Sequence, residues 1–174
     1  ACLLTGLGCS ANHKEVAFNS NQFKQNAGLL YFKDSPFTGT LVQKEKLIYH
    51  TPYKNGKKHG VQTIYYLSGN VNAKRKFKHG NCFKNQTGWW DNANLRYTYS
   101  CNTYGIHGKK IDYYKTGKKK SIQTYKNGKE EGKQQFWFSD GKVLTAYIQK
   151  NGRRYGITGT KLCRPTLFKI EKND

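Results

Sequence analysis

The sequence has few acidic residues, and none are arranged in a way that indicates catalysis. Lys and Arg number 31 against only 10 Asp and Glu, which gives a formal net charge of +21 over 174 residues. No two carboxylates are placed as an acid–base pair, and Glu130-Glu131 lies in a predicted turn. A phosphate-binding glycine loop and a nucleophile elbow are also missing. The sequence therefore predicts a protein that is not an enzyme and has no cofactor.

Metal-binding motifs are missing as well. No Cys-x-x-Cys spacing occurs among the five cysteines, which argues against a zinc site. His59 and His107 occupy one repeated position before a glycine, and His79 occupies a turn position. Turn formation explains these histidines, because histidines acting as general bases would not need to recur. No metal ligands are predicted.

Long apolar runs and amphipathic helical patterns are absent too. Hydrophobic residues make up 36% of the chain, while aromatic residues alone make up 14%. Tyrosine and tryptophan must therefore do much of the burying, as large flat side chains with a polar edge. This composition favours a single-layered or shallowly curved sheet over a thick core between two sheets.

Four pairs of adjacent aromatic residues recur at a spacing of 24 residues. The pairs are Tyr65-Tyr66, Trp89-Trp90, Tyr113-Tyr114 and Trp137-Phe138. A fixed period over several copies is the signature of a repeat protein, in which stacked units complete each other's apolar packing. Such arrays usually present an extended surface to a partner, so the repeat favours binding over catalysis.

Glycines mark two further positions in the same frame. Five residues before each pair stand Gly60, Gly108 and Gly132, and four residues after its first aromatic stand Gly69, Gly117 and Gly141. In the third copy, roughly Phe83 to Tyr104, Lys84 and Ala93 take these two positions. The third copy is therefore the degenerate one.

Each unit reads as strand, turn, strand, turn. A run rich in β-branched and aromatic residues follows Gly60, and Val71 to Phe77 alternates between apolar and polar side chains. A 24-residue unit with two strands leaves no room for a crossover, so neighbouring strands must be antiparallel. We expect an all-β, elongated antiparallel β-meander of roughly ten to twelve strands between Leu29 and Cys163. Its turns are predicted near Asn55-Gly56, Ser68-Gly69, His79-Gly80, Thr116-Gly117, Asn127-Gly128, Asp140-Gly141 and Asn151-Gly152.

These motifs resemble a known repeat. The run from Tyr53 to Gly60, followed by Tyr65-Tyr66 and Gly69, looks like the variant MORN repeat, and residues 125–141 repeat it. The stretch from Leu30 to Gly39 resembles the opening segment of the bacterial YwqK-family antitoxin-like group. The resemblance covers the chain from about Leu29 to Cys163. It implies a β-repeat fold, and it specifies the function only loosely.

The aromatic pairs also suggest a binding surface. Because neighbours on a strand point to opposite faces, one aromatic of each pair should be buried and the other exposed. We expect Tyr65, Trp89, Tyr113 and Trp137 to form the buried row, where truncation to alanine costs about 3–5 kcal/mol per site. The predicted partner-binding residues are Tyr66, Trp90, Tyr114, Phe138, Lys118, Lys119 and Lys120. Tyrosine and tryptophan dominate interface energetics, and the charge favours an acidic protein partner or an anionic membrane surface.

No small-molecule substrate is expected. Nucleic acid is the weakest of the partner hypotheses, since no recognised binding module is present.

The N-terminus bears on location. Ala1 to Gly8 is uncharged and leucine-containing, and it precedes Cys9-Ser10. It resembles the end of a bacterial lipoprotein signal, with Cys9 as the lipidated residue. Leu7 lies one position closer to the cysteine than that pattern prefers, and the charged start is missing. An ordinary apolar N-terminal strand or a trimmed chain is the alternative.

Cys82 and Cys101 form a second candidate pair. A hairpin turn near Asn92 brings them within about two positions of facing each other across the third unit. A disulfide between them would brace the degenerate repeat. Two separate buried thiols are the alternative, and Cys163 has no evident mate.

Three segments follow from these patterns. Residues 1–28 are an N-terminal segment that contains a signal remnant and linker, 29–163 form the repeat domain, and 164–174 are a basic tail. The favoured function is a non-catalytic scaffold, an envelope lipoprotein that docks onto other proteins of a membrane-associated assembly. A soluble, cytoplasmic antitoxin or immunity protein that neutralises a toxin is the alternative.

Overall fold

The computed structural model describes residues 14–19 and 21–156, which contain strands and turns and no helix. The strands are β1 Glu15–Ala17, β2 Phe23–Asn26, β3 Leu29–Phe32, β4 Ser35–Pro36, β5 Gly39–Lys44, β6 Ile48–Lys54, β7 Lys57–Lys58, β8 Gly60–Tyr65, β9 Val71–Lys78, β10 Asn81–Cys82, β11 Lys84–Trp89, β12 Leu95–Asn102, β13 Gly105–Tyr113, β14 Lys119–Lys126, β15 Lys129–Trp137, β16 Val143–Lys150 and β17 Arg153–Tyr155.

From β5 to β17 the strands form a meander. They lie side by side in chain order in one sheet, except that β7 and β10 pair only with β6 and β9. Every pair within this stretch is antiparallel. The predicted fold class is confirmed, and all seven predicted turns lie between strands. Residues 157–163, the last part of the predicted repeat range, lie outside the described chain.

The turn after each aromatic pair is built in the same way four times. The N–H of the second aromatic donates to the carbonyl four residues later, as from Tyr66 to Asn70 at 2.8 Å. The carbonyl of the same aromatic accepts from the residue three positions on, as from Gly69 at 3.0 Å. The other three turns repeat both bonds, from Trp90, Tyr114 and Phe138. The period seen in the sequence is therefore a period in backbone hydrogen bonding.

The degenerate copy keeps this backbone without its glycines. Ala93 has φ 64° where Gly69 and Gly117 have 90° and 85°, and Lys84 has φ 57° where Gly60 has 107°. The left-handed region costs residues with a Cβ atom about 1–2 kcal/mol, and glycine enters it freely. The hydrogen bonds of the array thus hold Lys84 and Ala93 in an unfavourable conformation.

An N-terminal cap covers the first end of the meander. Strand β1 pairs with β5 in parallel, and the chain between them forms a small sheet of β2, β3 and β4. Strand β1 lies before the predicted antiparallel range, but its partner β5 lies inside it, so the expectation of antiparallel neighbours throughout is wrong at this end. The intervening small sheet supplies the long connection that parallel pairing needs. Phe23, Phe37 and Leu41 are buried together beneath this cap. Repeat arrays need such caps because a terminal unit has a neighbour on one side only.

A disulfide joins Cys82 and Cys101 across the degenerate unit. Their Cα atoms are 5.8 Å apart, and Cys101 is buried. Strands β11 and β12 pair with Gln86 opposite Tyr99 and Lys84 opposite Cys101, which is the register predicted from the turn near Asn92. The bond ties β10 to β12 and braces the copy that has lost its glycines.

The strain at Ala93 gives a first prediction. We expect Ala93→Gly to raise the free energy of unfolding by about 0.5–1 kcal/mol, because glycine removes the left-handed penalty at some entropic cost. Urea unfolding would show a higher midpoint with an unchanged m-value.

The matched control is the reverse change in the next copy. An added Cβ at Gly117 meets no atom within 4 Å, so Gly117→Ala isolates the effect of backbone conformation and should destabilise by a similar amount. Destabilisation by Ala93→Gly would show that the conformation is not strained.

Candidate functional site

The two faces of the meander carry different side chains. One face, called here the glutamine face, has a glutamine at a repeated position in three copies. These are Gln62, Gln86 and Gln134, with exposures of 5%, 1% and 0%. The opposite face, called here the open face, carries the first aromatic of each pair beside lysines, threonines and isoleucines. Register fixes both sets, since paired residues of neighbouring strands point to the same side.

Two of the buried glutamines bind the backbone of the preceding hairpin, while Gln62 donates to the Thr51 hydroxyl at 2.8 Å. Gln86 accepts a hydrogen bond from the Lys76 N–H through Oε1 at 3.0 Å and donates through Nε2 to the Lys76 carbonyl at 3.1 Å. Gln134 makes the same two bonds to Thr124, at 3.3 and 2.9 Å. The side chain thus pairs backbone groups where the register between β14 and β15 shifts. The prediction from the sequence did not include this position, although glutamines at multiples of 24 residues mark it.

The unit that contains Tyr113-Tyr114, the fourth copy, has no glutamine at this position. Lys110 stands in the glutamine position and Asp112 stands two residues on. The Lys110 Nζ lies 2.9 Å from Asp112 Oδ2, and the Ser121 hydroxyl donates to the same oxygen at 2.9 Å. Both charged side chains are about three-quarters covered. An ion pair on the sheet surface therefore replaces a glutamine that binds backbone.

A cavity opens beside this ion pair. Register places Tyr97, Asp112, Ser121 and Phe136 in one row across four strands. Two short side chains thus stand between two rings, and the cavity has a volume of about 360 Å³. We call it the ionic slot; its lining includes Trp90, Arg96, Tyr97, Asp112, Lys120 and Phe136.

The second aromatic of each pair bonds to the next repeat. The Tyr66 hydroxyl donates to the Trp89 carbonyl at 2.9 Å, and the Tyr114 hydroxyl donates to the Trp137 carbonyl at 2.7 Å. Trp90 donates through Nε1 to the Tyr113 carbonyl at 3.2 Å. Asn70 and Asn94 add bonds from the same turns to the carbonyls of Asp91 and Lys115, each at 2.9 Å. A row of hydrogen bonds therefore runs from hairpin to hairpin along this edge, called here the aromatic edge.

The predicted division into a buried and an exposed aromatic row is wrong. Tyr65, Trp89, Tyr113 and Trp137 lie half-buried on the open face. Tyr66, Trp90 and Tyr114 are also half-buried, and only Phe138 is exposed, at 42%. Because the sheet has one layer, side chains on both faces are covered only by their neighbours. The inward–outward alternation of a two-layered protein therefore does not apply.

The predicted partner-binding residues gather at the aromatic edge. Lys118, Lys119 and Lys120 are all exposed. The Lys120 Nζ lies 5.7 Å from the Tyr114 ring centroid, and Lys118 Nζ donates to the Asp140 carbonyl at 3.5 Å. Phe138 has no side-chain polar atom for a bond to a further repeat, and its ring is exposed. Cys9, the predicted lipidation site, lies outside the described residues.

Burial and hydrogen bonding shift the pKa values of three side chains of the sheet. Burial raises the pKa of the Tyr99 phenol, and burial with the nearby Glu130 raises that of Tyr125, so both stay neutral at physiological pH. Hydrogen bonding to Lys115 lowers the pKa of Asp91, which stays ionised on the aromatic edge.

Within residues 14–19 and 21–156, no cluster of His, Cys, Asp and Glu has the composition of a metal site. The same residues include no helix long and apolar enough to cross a membrane.

The bonds of the aromatic edge give a second prediction. We expect Tyr114→Phe to lower the free energy of unfolding by about 1 kcal/mol, because it removes one hydrogen bond and keeps the ring. Thermal or urea unfolding measures the change. The control is Tyr104→Phe, since Tyr104 is 74% exposed and should tolerate the loss of its hydroxyl. Equal stability of the two variants would contradict a structural role for the Tyr114 hydroxyl.

Two segments of the chain match a known repeat family. Residues 58–79 and 106–127 match the profile described as MORN repeat variant. The two matches start 48 residues apart, which is two repeat periods, and each ends at a turn residue with positive φ, His79 and Asn127. The degenerate unit braced by the disulfide lies between them. Searches of curated proteins and of solved structures found no match. The narrower likeness to the YwqK-family antitoxin-like group remains a resemblance. Two segments of the chain are thus similar to the variant MORN repeat, and both lie within the all-β antiparallel meander.

Proposed function

We propose that this protein is a non-catalytic scaffold of the bacterial cell envelope that docks onto other proteins of a membrane-associated assembly. MORN repeats commonly act as scaffolds for protein or membrane interaction. The observation that carries the proposal is the single-layered sheet, which leaves two rows of half-buried aromatic rings uncovered by any other described element. Rigid aromatic side chains in a fixed row are the residue type that anchors protein interfaces.

The charge of the surface supports an acidic partner. On the open face, the exposed lysines Lys74, Lys76, Lys109 and Lys133 flank the row of Tyr65, Trp89, Tyr113 and Trp137. At the aromatic edge, Lys118 to Lys120 flank Tyr114. Cations around apolar rings attract an acidic protein surface and speed association. Contact with the anionic face of a membrane would use the same charge, and it is the alternative outcome of the binding test.

The envelope location rests on the N-terminal pattern. Gly8-Cys9-Ser10 after a short uncharged leucine-containing run resembles the modification site of a lipoprotein. A lipid at Cys9 would bring the sheet close to the membrane, where an assembly subunit meets its partners. A cytoplasmic antitoxin would need no such anchor.

Mass spectrometry of the intact native protein tests the anchor. We expect a chain that begins at Cys9 and carries the added mass of acyl groups. Cys9→Ser should abolish this modification and release the protein from the membrane fraction. A native chain without lipid would contradict the envelope assignment and favour the soluble antitoxin or immunity protein.

Binding kinetics test the surface. The analyte is the protein that cross-links to the native chain, and association and dissociation are measured at two salt concentrations. Alanine at Tyr66, Trp90 and Tyr114 should shorten the lifetime of the complex, because the rings supply contact area. Glutamate at Lys118, Lys119 and Lys120 should slow association, mainly at low salt.

Matched variants separate binding from folding. Phenylalanine at Tyr66, Trp90 and Tyr114 removes the inter-repeat hydrogen bonds and keeps a ring, so it should lower stability with little effect on the complex lifetime. A third set, alanine at Tyr65, Trp89, Tyr113 and Trp137, tests the open face in the same way. If no set alters binding, neither aromatic row contacts the partner. Binding to anionic vesicles without a protein partner would show a membrane surface instead.

A further inference from the structure

We infer that the ionic slot is a binding site for a carboxylate side chain from an acidic segment of a protein partner. The inference rests on the proposed scaffold function and names the chemical group that the partner supplies. It assigns a role to the fourth copy of the repeat, where the chain departs from its own pattern most sharply in charge.

The departure costs the fold an interaction. In the neighbouring copies, Gln86 and Gln134 each bind an N–H and a carbonyl of the preceding hairpin. Lys110 has three donors and no acceptor, so it cannot pair with a backbone N–H in this way. Asp112 likewise stands where the next copy has Phe136. The ion pair between Lys110 and Asp112 takes the place of the two backbone hydrogen bonds, and positions that break a local structural rule are where function is expected.

The electrostatics of the slot favour an anion. Lys110 neutralises the charge of Asp112, and the Ser121 hydroxyl donates to the same carboxylate. Arg96 and Lys120 remain as the two cations of the slot without a paired anion. Within the described part of the chain, no ion pair includes Arg96 or Lys120. The Arg96 guanidinium donates to Asn72 Oδ1 at 3.3 Å, and its buried Nε has no partner among the described residues. An arriving carboxylate would give the guanidinium a charge-assisted bond.

Aromatic rings hold the two cations in place. The Arg96 guanidinium carbon lies 5.6 Å from the Trp90 ring centroid and 5.1 Å from that of Tyr97. Lys120 lies over Tyr114 in the next copy, at the position 24 residues after Arg96. Side chains fixed in this way lose little conformational entropy when a ligand binds. The slot is therefore ordered before its ligand arrives.

The shape favours a side chain over a small inorganic anion. Three strand spacings of about 4.8 Å separate Tyr97 from Phe136, so their backbones lie about 14 Å apart. Short Asp112 and Ser121 form the floor, and rings form the walls. A cavity of about 360 Å³ with aromatic walls fits an acidic side chain together with the apolar atoms next to it in a peptide.

Three degenerate peptide libraries test the inference on the full chain. Each is an N-acetylated pentapeptide with random flanking positions. The first has central glutamate and a C-terminal amide, the second has glutamine and the amide, and the third has glutamine and a free C-terminal carboxylate. The immobilised protein should retain the first library about tenfold more than the second, because a charge-assisted bond adds about 1.4 kcal/mol or more. Preference for the third would move the carboxylate from a side chain to a chain end and overturn the inference as stated.

Substitutions locate the binding. Arg96→Gln and Lys120→Gln should each reduce retention of the glutamate library several-fold. Lys126→Gln removes the same charge from the far end of β14, where the side chain is exposed, and should change retention little. Equal losses from Lys120→Gln and Lys126→Gln would show that net charge alone attracts the peptides.

A double variant closes the slot with the chain's own residues. Lys110→Gln with Asp112→Phe recreates the pair Gln134 and Phe136 of the next copy. We expect a fold at least as stable as the wild type by thermal unfolding, and loss of the preference for glutamate. Retained preference would overturn the inference. If the slot binds glutamate but the aromatic substitutions leave partner binding unchanged and Cys9 carries no lipid, the scaffold proposal alone is contradicted. If those tests succeed but the slot does not prefer glutamate, the inference about the slot alone is contradicted.

Discussion

The structure depends on hydrogen bonds that run from the side chains of one repeat to the backbone of its neighbour. A single-layered sheet covers little apolar surface, so hydrophobic burial, the main source of stability in most folds, is limited. Tyr66, Trp90 and Tyr114 bond forward along one edge, while Gln86 and Gln134 bond backward within the sheet. These bonds fix the register between hairpins, and with it the positions of the rings and lysines. Tyr66, Trp90 and Tyr114, which the sequence pattern assigns to partner binding, therefore also stabilise the fold.

The departures from the repeat are concentrated in its middle. Lys84 and Ala93 take left-handed conformations, Cys82 and Cys101 form a disulfide, and Lys110 with Asp112 replaces the glutamine position. Each unit of an array contacts only its neighbours, so a local loss can be offset locally. The disulfide supplies local stabilisation in the unit where Lys84 and Ala93 replace the glycines. A braced middle with regular units on both sides can carry the ionic slot without losing the sheet.

Charge and rings have separate roles in the proposed scaffold. An excess of cations over the whole chain raises the rate of encounter with an acidic surface and is weakened by salt. Ring contacts and fixed cations such as Arg96 act over short distances and set how long a complex lasts. Rings and cations are combined where the aromatic edge meets the ionic slot. There Arg96 lies over the ring of Trp90, and Lys120 lies over the ring of Tyr114.

The sequence alone determined the repeat, the antiparallel meander, its turns and the pairing register around Asn92, because turn chemistry and a 24-residue period are local properties. Tertiary structure decided which side chains are covered. The buried and exposed aromatic rows were wrongly predicted, since alternation along a strand says nothing about whether a second layer exists. The role of Gln86 and Gln134 also depends on a backbone groove formed by the neighbouring hairpin. The ionic slot arises only when Tyr97, Asp112, Ser121 and Phe136, which are far apart in sequence, fall into one row across four strands.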